Sequence, residues 1–169
     1  YTHLGYDRTK LSVERSLKAL GPAMQSDKVD LKIHLILNWP RCYDSISWMD
    51  CEGEEKSLDS SVKQTGPDPT KDTDAWKESW KYLEDIYLSG KYPIESIGLS
   101  NFHLEDIEEM DSFARISPLV LQVSLWSLLY DSFLVYYFHT HRIHLQVYNA
   151  MEGTVGLSGG SSQAHDHLE

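Results

Sequence analysis

The amino-acid sequence predicts an α/β fold built on a parallel β-sheet, of the kind found in (β/α) barrels. Short apolar runs rich in β-branched residues alternate with amphipathic segments of helical period along the chain. Right-handed crossovers wind such βα units in one direction, as in a barrel. No G-x-G-x-x-G turn follows any of the apolar runs, which leaves a Rossmann-type phosphate site without support. The 169 residues, 41% apolar and 24% charged, have the composition of one globular domain.

The first part of the chain contains a predicted helix, a predicted strand and a long segment without a clear period. Apolar residues recur at helical spacing up to Gly21-Pro22, which predicts a helix over residues 9–20 that ends at this pair. Residues 29–37 are apolar at most positions, which is typical of a strand buried on both faces. Residues 41–73 are rich in Asp, Glu, Ser, Gly and Pro, and here we expect either a functional excursion or disorder.

The remaining predicted elements alternate regularly between helices and strands. Trp76 and Trp80 begin an amphipathic helix that stops at Gly90. The elements that follow are, in order, a strand at 94–99, a helix around Leu104, Ile107 and Met110, a strand at 119–123, a helix around Phe133, Leu134, Tyr137 and Phe138, and a strand at 143–148. Residues 152–169 are dominated by Gly, Ser and His, and we expect them to form a flexible tail.

Charge and cysteine content narrow the possible partners and compartments. A net charge of −11 argues against nucleic acid or an anionic membrane surface as a partner, and no apolar run reaches the ~18 residues of a membrane span. Cys42 and Cys51 lack C-x-x-C spacing, so we expect two reduced, incidental thiols in a cytoplasmic protein. The first residue is Tyr1, with no leader-like pattern after it, and we expect the chain to be a piece of a longer one.

Candidate functional residues follow the predicted strands directly. The carboxyl ends of barrel strands carry the chemistry in this class of fold, and the residues there are Asn38-Trp39-Pro40, Ser100-Asn101-Phe102, Gln122 and Tyr148-Asn149. Amides, a hydroxyl and aromatic rings can orient a flat, neutral, polar group by hydrogen bonding and stacking. Each residue taken alone is also a common choice for ending a strand or forming a turn.

A cluster of histidines is the other constellation that we considered. His139, His141 and His144 span a predicted helix end and a strand start, so their imidazoles need not converge as a zinc site requires. We expect solvated or packed histidines there, and we assign no metal site.

Several blocks of the sequence, in the correct order, resemble the aldo-keto reductase family. Leu37-Asn38-Trp39-Pro40 is similar to the family's I-H-W-P segment, and Ile97-Gly-Leu-Ser-Asn-Phe102 to its I-G-V-S-N-F segment. Gln122-Val123 matches N-Q-V, and Val147-Tyr148 falls within a stretch similar to A-Y-S-P-L. The resemblance implies a partial (β/α)8 TIM barrel over residues 1–151, roughly strands four to seven with the intervening helices.

The resemblance also implies a role for each matched residue. Ser100, Asn101 and Gln122 would hydrogen-bond the carboxamide of the nicotinamide of NADP(H), and Tyr148 would stack on its ring. Trp39 would line the pocket of a small carbonyl substrate. This set agrees with the acid-free chemistry at the strand ends, because the cofactor carries the reaction itself.

The departures from the family concern catalysis. The family's catalytic Asp, Tyr and Lys lie upstream of the matched segment, and its histidine falls at Asn38, or at His34 if the preceding strand anchors the alignment. We prefer Asn38, which can donate a hydrogen bond but cannot titrate. We therefore expect a relative of NADP(H)-dependent reductases of aldehydes or ketones that is inactive in this form. The alternative is a non-catalytic binding or assembly module, completed or self-associated through its open sheet edges.

Overall fold

The fold alternates helices and parallel strands along the chain. A computed structural model describes residues 5–43, 46, 48–67 and 72–151. Within these residues the elements are α1 (Tyr6–Met24), β1 (Ile33–Asn38), α2 (Cys51–Ser57), α3 (Ser60–Lys63), α4 (Ala75–Leu88), β2 (Ile94–Ser100), α5 (Leu104–Met110), β3 (Val120–Ser124), α6 (Leu125–Tyr130), α7 (Ser132–His141) and β4 (His144–Tyr148).

The four described strands form one sheet in the order β1-β2-β3-β4, and every neighbouring pair is parallel. The prediction of an α/β fold with a parallel sheet is therefore confirmed. The pairing register places Leu37, Leu99, Leu121 and Leu145 in one row across the strands. Side chains alternate between the faces of a strand, so the next row, one residue further along, points to the opposite face.

Helix α4 supplies much of the core that covers one face of the sheet. Trp76 and Trp80 lie one helical turn apart and have no exposed surface. They belong to the same cluster of buried side chains as Ile97 and Leu99 of β2 and Leu121 of β3. Full burial of such side chains stabilises a fold by about 1.5–3 kcal/mol each. The predicted helix and its end before Gly90 are confirmed, because the helical period of its apolar residues corresponds to a face that is buried.

Helix α1 is longer than the sequence predicts. It continues through Gly21 and Pro22 to Met24, so the predicted stop at Gly21-Pro22 is wrong. Pro22 lies in the last turn, where its missing N–H costs a single intrahelical bond. The helix then closes on the N–H of Gln25, which donates to the carbonyl oxygen of Gly21 at 3.2 Å.

The segment without a clear period, for which we expect a functional excursion or disorder, contains two short helices. Asp50 caps the start of helix α2, because its carboxylate accepts the N–H of Gly53 at 2.9 Å. Glu55 of α2 accepts bonds of 2.7 and 3.0 Å from the guanidinium of Arg8, which is 2% exposed. This pair of a buried arginine and a partly buried glutamate fastens the segment to α1. The two helices, of seven and four residues, are too short to show a period.

Two further predictions need correction. The first strand begins at Ile33 rather than at residue 29, and it exposes His34 and Asn38, so it is not buried on both faces. Cys42 and Cys51 are joined in a disulfide with their Cα atoms 6.3 Å apart, so the expectation of two reduced thiols is wrong. Cys42, in the loop after β1, meets Cys51 at the start of α2, and the spacing of the two cysteines in the sequence does not predict this contact.

The predicted tail at residues 152–169 lies outside the described residues. Among the described helices, none combines the length and the apolar character that crossing a membrane requires.

Candidate functional site

The carboxyl ends of β1, β2 and β3 bring three of the predicted site residues into one row. Asn38 pairs with Ser100, and Ser100 pairs with Gln122, in the parallel register of the sheet. Gln122 pairs in turn with Gln146 of β4. Strand neighbours lie about 4.8 Å apart, so the four side chains form a continuous polar row on one face.

The chain leaves three of these strands through residues with left-handed backbone. Trp39 after β1, Asn101 after β2 and Asn149 after β4 have φ angles of 67°, 60° and 55°. Asparagine tolerates this conformation well, whereas a bulky aromatic residue there is strained. Strained residues of this kind persist only where their surroundings fix them, and they are enriched at functional sites.

A first hydrogen-bond network runs along the polar row. The Ser100 hydroxyl, on a residue that is 2% exposed, donates to Oε1 of Gln122 at 3.2 Å. Nε2 of Gln122 donates to Oε1 of Gln146 at 3.3 Å. Gln146 is not among the predicted site residues, although the two-residue period of a strand places it on the same face as Tyr148.

A second network joins three strand ends. The Tyr148 hydroxyl donates a short hydrogen bond to Oδ1 of Asn101, and Nδ2 of Asn101 donates to Oδ1 of Asn38 at 2.8 Å. Tyr148 is the last residue of β4 and Asn101 directly follows β2, so the Tyr148 side chain reaches across the end of β3. An amide nitrogen carries two N–H groups, and the bonds within the described residues use one of them in Asn101 and one in Gln122.

The two candidates for the family's histidine lie at opposite ends of β1. Asn38 is the last residue of the strand and contacts Asn101. His34 is the second residue of the strand, and its Nδ1 lies 2.7 Å from the hydroxyl oxygen of Ser96. Four residues of strand separate them by about 13 Å, so the structure brings Asn38, and not His34, to the other site residues.

Trp39 is part of an aromatic wall, by which we mean Trp39, Tyr43 and Trp48. The ring centroid of Trp39 lies 5.6 Å from that of Tyr43 and 6.0 Å from that of Trp48, both in edge contacts. Tyr43 and Trp48 were not predicted, because the segment that carries them has no period. Their only sequence signal is an aromatic content unusual for a polar loop.

An ion pair beside the aromatic wall links the loop after β1 to α5, and its Arg41 also donates to the Tyr43 hydroxyl at 3.4 Å. The Arg41 guanidinium lies 2.5 Å from the carboxylate of Asp106, which is 5% exposed. The ring of Tyr43 lies 6.1 Å from that of His103. Burial raises the pKa of Tyr43, the Asp106 carboxylate raises it further, and Arg41 opposes the rise. The Tyr43 hydroxyl therefore stays protonated at neutral pH.

The histidines near β4 do not converge. The imidazole of His141 stacks on the ring of Tyr137 at 3.8 Å between centroids, and His144 lies in β4. In the part of the chain that the structure describes, no group of three His, Cys, Asp or Glu residues is arranged to hold a metal ion.

Comparison with known proteins identifies the relatives of this chain. Residues 3–165 match the model of the aldo/keto reductase family. The chain is 26% identical over 153 residues to aldo-keto reductase family 1 member A1 of Mus musculus, which covers 86% of this chain and 40% of that protein. It is 30% identical over 119 residues to glyoxal reductase of Bacillus subtilis, covering 70% and 29%. The chain thus spans about two fifths or less of the length of these relatives.

Solved structures share the fold. The aldo/keto reductase of Brucella melitensis superposes with a TM-score of 0.57 at 21% identity, over 88% of this chain and 43% of that one. The aldo-keto reductase AKR2E5, crystallised with NADPH, gives 0.53 at 22%, over 88% and 36%. The four parallel strands and their helices therefore correspond to part of the barrel in these enzymes. Since the family match covers nearly the whole sequence and the architecture agrees with it, the chain belongs to the aldo/keto reductase family.

Proposed function

We propose that this chain forms the nicotinamide-binding side of an NADP(H)-dependent reductase of small aldehydes or ketones. The observation that carries the proposal is the convergence of Ser100, Asn101 and Gln122 at adjacent strand ends, with Tyr148 reaching across them. The relative AKR2E5 was crystallised with NADPH, which supports this cofactor. We propose further that residues 1–151 correspond to strands four to seven of an eight-stranded barrel, in a cytoplasmic protein.

The donors and acceptors at the strand ends fit a carboxamide. A carboxamide offers one carbonyl acceptor and an NH2 group with two donors. Asn101 and Gln122 each have an N–H beyond those used within the protein, and the oxygen of Ser100 retains lone pairs. The flat ring of Tyr148 suits a stacking partner. No charged group is needed, because the nicotinamide carboxamide is neutral.

In the proposed reaction the protein binds and orients rather than exchanging protons. When bound, the nicotinamide supplies a hydride to the carbonyl carbon of the substrate. Trp39 lines the pocket, and Nδ2 of Asn38 donates a hydrogen bond to the carbonyl oxygen, because its Oδ1 already accepts from Asn101. Asparagine cannot release a proton, so Asn38 orients the carbonyl but does not act as a general acid.

We propose that the chain on its own does not turn over a carbonyl substrate. The polar side chains at its described strand ends are amides and two serines, together with the aromatic Tyr148. The hydroxyl of Tyr148 already donates to Asn101, which leaves the developing alkoxide without a proton donor. NADPH oxidation in the presence of a reactive aldehyde tests this, and a turnover approaching ~1 s⁻¹, the low end of ordinary enzymes, contradicts it.

Cofactor binding is tested by quenching of tryptophan fluorescence with NADPH. We expect saturable quenching, with affinity lowered about two- to tenfold in Tyr148→Ala, because an aromatic contact of this kind contributes about 0.5–1.5 kcal/mol. Tyr130→Ala is the matched control, since Tyr130 on α6 is 74% exposed. Absence of saturable quenching, or equal affinity in Tyr148→Ala, contradicts the proposed site.

A second candidate function is assembly with another chain or copy. Within the described residues β1 and β4 each pair with one strand only, and Leu145 and Val147 of β4 are more than a third exposed. Unpaired edges and exposed apolar groups favour association. Size-exclusion chromatography with light scattering tests this, and a stable monomer at high concentration argues against it.

A further inference from the structure

The aromatic wall stands beside the proposed cofactor site in a strained but fixed conformation. The N–H of Trp39, a residue with left-handed backbone, donates to the carbonyl oxygen of Ser100 at 2.8 Å. This bond ties the wall to the end of β2. Trp48 lies at the outer end of the wall and is 61% exposed. The exposed ring of Trp48, held edge-on to Trp39, presents a flat apolar surface on which a second aromatic group can pack.

The two ends of the wall are held by different interactions. Tyr43 is anchored by its contacts with Arg41 and His103 on the α5 side. Trp48 has no described ion pair or hydrogen bond from its side chain. Its neighbour Met49 is buried and accepts the N–H of Tyr43 through its sulfur at 3.2 Å. The position of Trp48 therefore depends mainly on how the chain around it is tied down.

The disulfide provides that tie. Cys42 adjoins Tyr43, and Cys51, which is 7% exposed, is the first residue of α2. The bond closes a loop with a sequence separation of nine that contains both Tyr43 and Trp48. Helix α2 is in turn fixed to α1 by the buried pair of Arg8 with Glu55. The loop is thus attached to the sheet through β1 at one end and to α1 through α2 at the other.

We propose that the Cys42–Cys51 disulfide positions the aromatic wall, so that its reduction weakens binding of a flat aromatic carbonyl compound beside the proposed cofactor site. Cys42 and Cys51 do not contact the ligand themselves; they are positioning residues that act through Trp48. A dithiol reduces the bond by donating two electrons and two protons, which gives two thiols and leaves the reductant as its own disulfide. The proposal rests on the proposed function only in taking the strand ends as the place where the ligand lies.

The test compares oxidised and dithiol-reduced protein with benzaldehyde and NADPH as separate probes. We expect reduction to lower the affinity for benzaldehyde about two- to tenfold, the value of one aromatic contact, and to increase acrylamide quenching of tryptophan emission. Affinity for NADPH should stay unchanged, since its proposed contacts lie at the strand ends. Reoxidation should restore benzaldehyde affinity, which a general loss of structure does not predict.

Variants separate the wall from the rest of the fold. In Trp48→Ala we expect benzaldehyde to bind equally weakly before and after reduction, with the affinity that the reduced unmodified protein shows. Trp126→Ala removes a 43% exposed tryptophan on α6, and its affinity should change on reduction as that of the unmodified chain does. The double variant C42S/C51S should match reduced protein. If that variant does not fold, reduced and reoxidised protein provide the same comparison.

Three results overturn the proposal: two titratable thiols in protein kept under oxidising conditions, equal benzaldehyde affinity in both redox states, or no benzaldehyde binding in either. Failure of NADPH to bind refutes the proposed function instead. A redox-dependent response to benzaldehyde in the absence of NADPH binding still supports the positioning role of the disulfide.

Discussion

The carboxylate of Glu84 gives the sharpest stability prediction, because its two oxygen atoms have separate partners. Glu84 lies in α4 with no exposed surface. Its Oε1 accepts the backbone N–H groups of Arg115 and Ile116 at 2.6 and 2.9 Å. Its Oε2 accepts Nε of the Arg115 side chain at 2.9 Å. One side chain thus holds the loop before β3 against α4 through two distinct kinds of bond.

The expected magnitude follows from counting the groups left without a partner. Glu84→Ala leaves two backbone N–H groups without an acceptor, at about 1–3 kcal/mol each when buried. The Arg115 side chain is 51% exposed and is solvated again, which adds little. We expect a loss of about 2–6 kcal/mol in the free energy of unfolding. Glu84→Gln keeps an oxygen for both N–H groups and turns an NH2 towards Arg115, so its loss should be clearly smaller.

Urea denaturation followed by far-ultraviolet circular dichroism measures these differences. Glu78→Ala is the matched control, because Glu78 lies on the same helix, is half exposed and, within the described residues, forms an ion pair with Lys81 alone. Its loss should stay within about 0.5 kcal/mol. Equal losses for Glu84→Ala and Glu84→Gln refute the separation of roles between the two oxygens. A loss in Glu84→Ala no larger than that of the control refutes the importance of the buried carboxylate itself.

Three further predictions concern the cross-link, two glycines and a buried phenol. Removing the disulfide in C42S/C51S should lower the free energy of unfolding by about 2.6 kcal/mol, because the unfolded chain regains the entropy of a loop closed over nine residues. Equal urea midpoints with and without a reductant contradict this. Gly98→Ala places a methyl group closer than van der Waals contact to the backbone of β3, so it should destabilise the fold by about 1–3 kcal/mol. In Gly21→Ala the methyl group meets nothing within 4 Å, so this variant should stabilise α1 by about 0.5–1 kcal/mol. Thermal melting must show shifts of opposite sign in the two variants. Burial, followed by Glu14 and two neighbouring phenols, raises the pKa of Tyr82 from 10.0 to about 12. The contribution of its protonated hydroxyl to the free energy of unfolding is therefore complete below pH 10 and is lost as pH rises through 12. Tyr82→Phe should abolish that part of the alkaline loss of stability, and an unchanged profile of stability against pH contradicts this.

The elements with one strongly apolar face could be predicted from the sequence. Helix α4 and strand β2 agree with their predictions, because the period of their apolar residues matches a face that is buried against the sheet. The end of α1 could not be predicted, since a proline in a last turn costs one bond and helical packing outweighs it. Helix α2 escaped detection because what holds it is Glu55 bonded to a buried arginine far along the chain.

The candidate site was predicted in its residue types more than in its contacts. The positions of Asn38, Ser100 and Gln122 at strand ends followed from the pattern, and parallel register makes them neighbours. The bond from Tyr148 to Asn101 depends on strand order and on two left-handed backbones. Gln146 and Tyr43 entered the site only through the fold. The roles of these residues toward a cofactor stay predictions.

By itself, the sequence determined the alternation of strands and helices, the polar residues at the strand ends and membership of the aldo/keto reductase family. These properties are local, since they follow from period, turn chemistry and short motifs read along the chain. Only the tertiary structure decided that Asn38 rather than His34 joins the other site residues, and that Cys42 meets Cys51. Both depend on how distant segments meet in space, and the packing of the whole chain fixes that meeting.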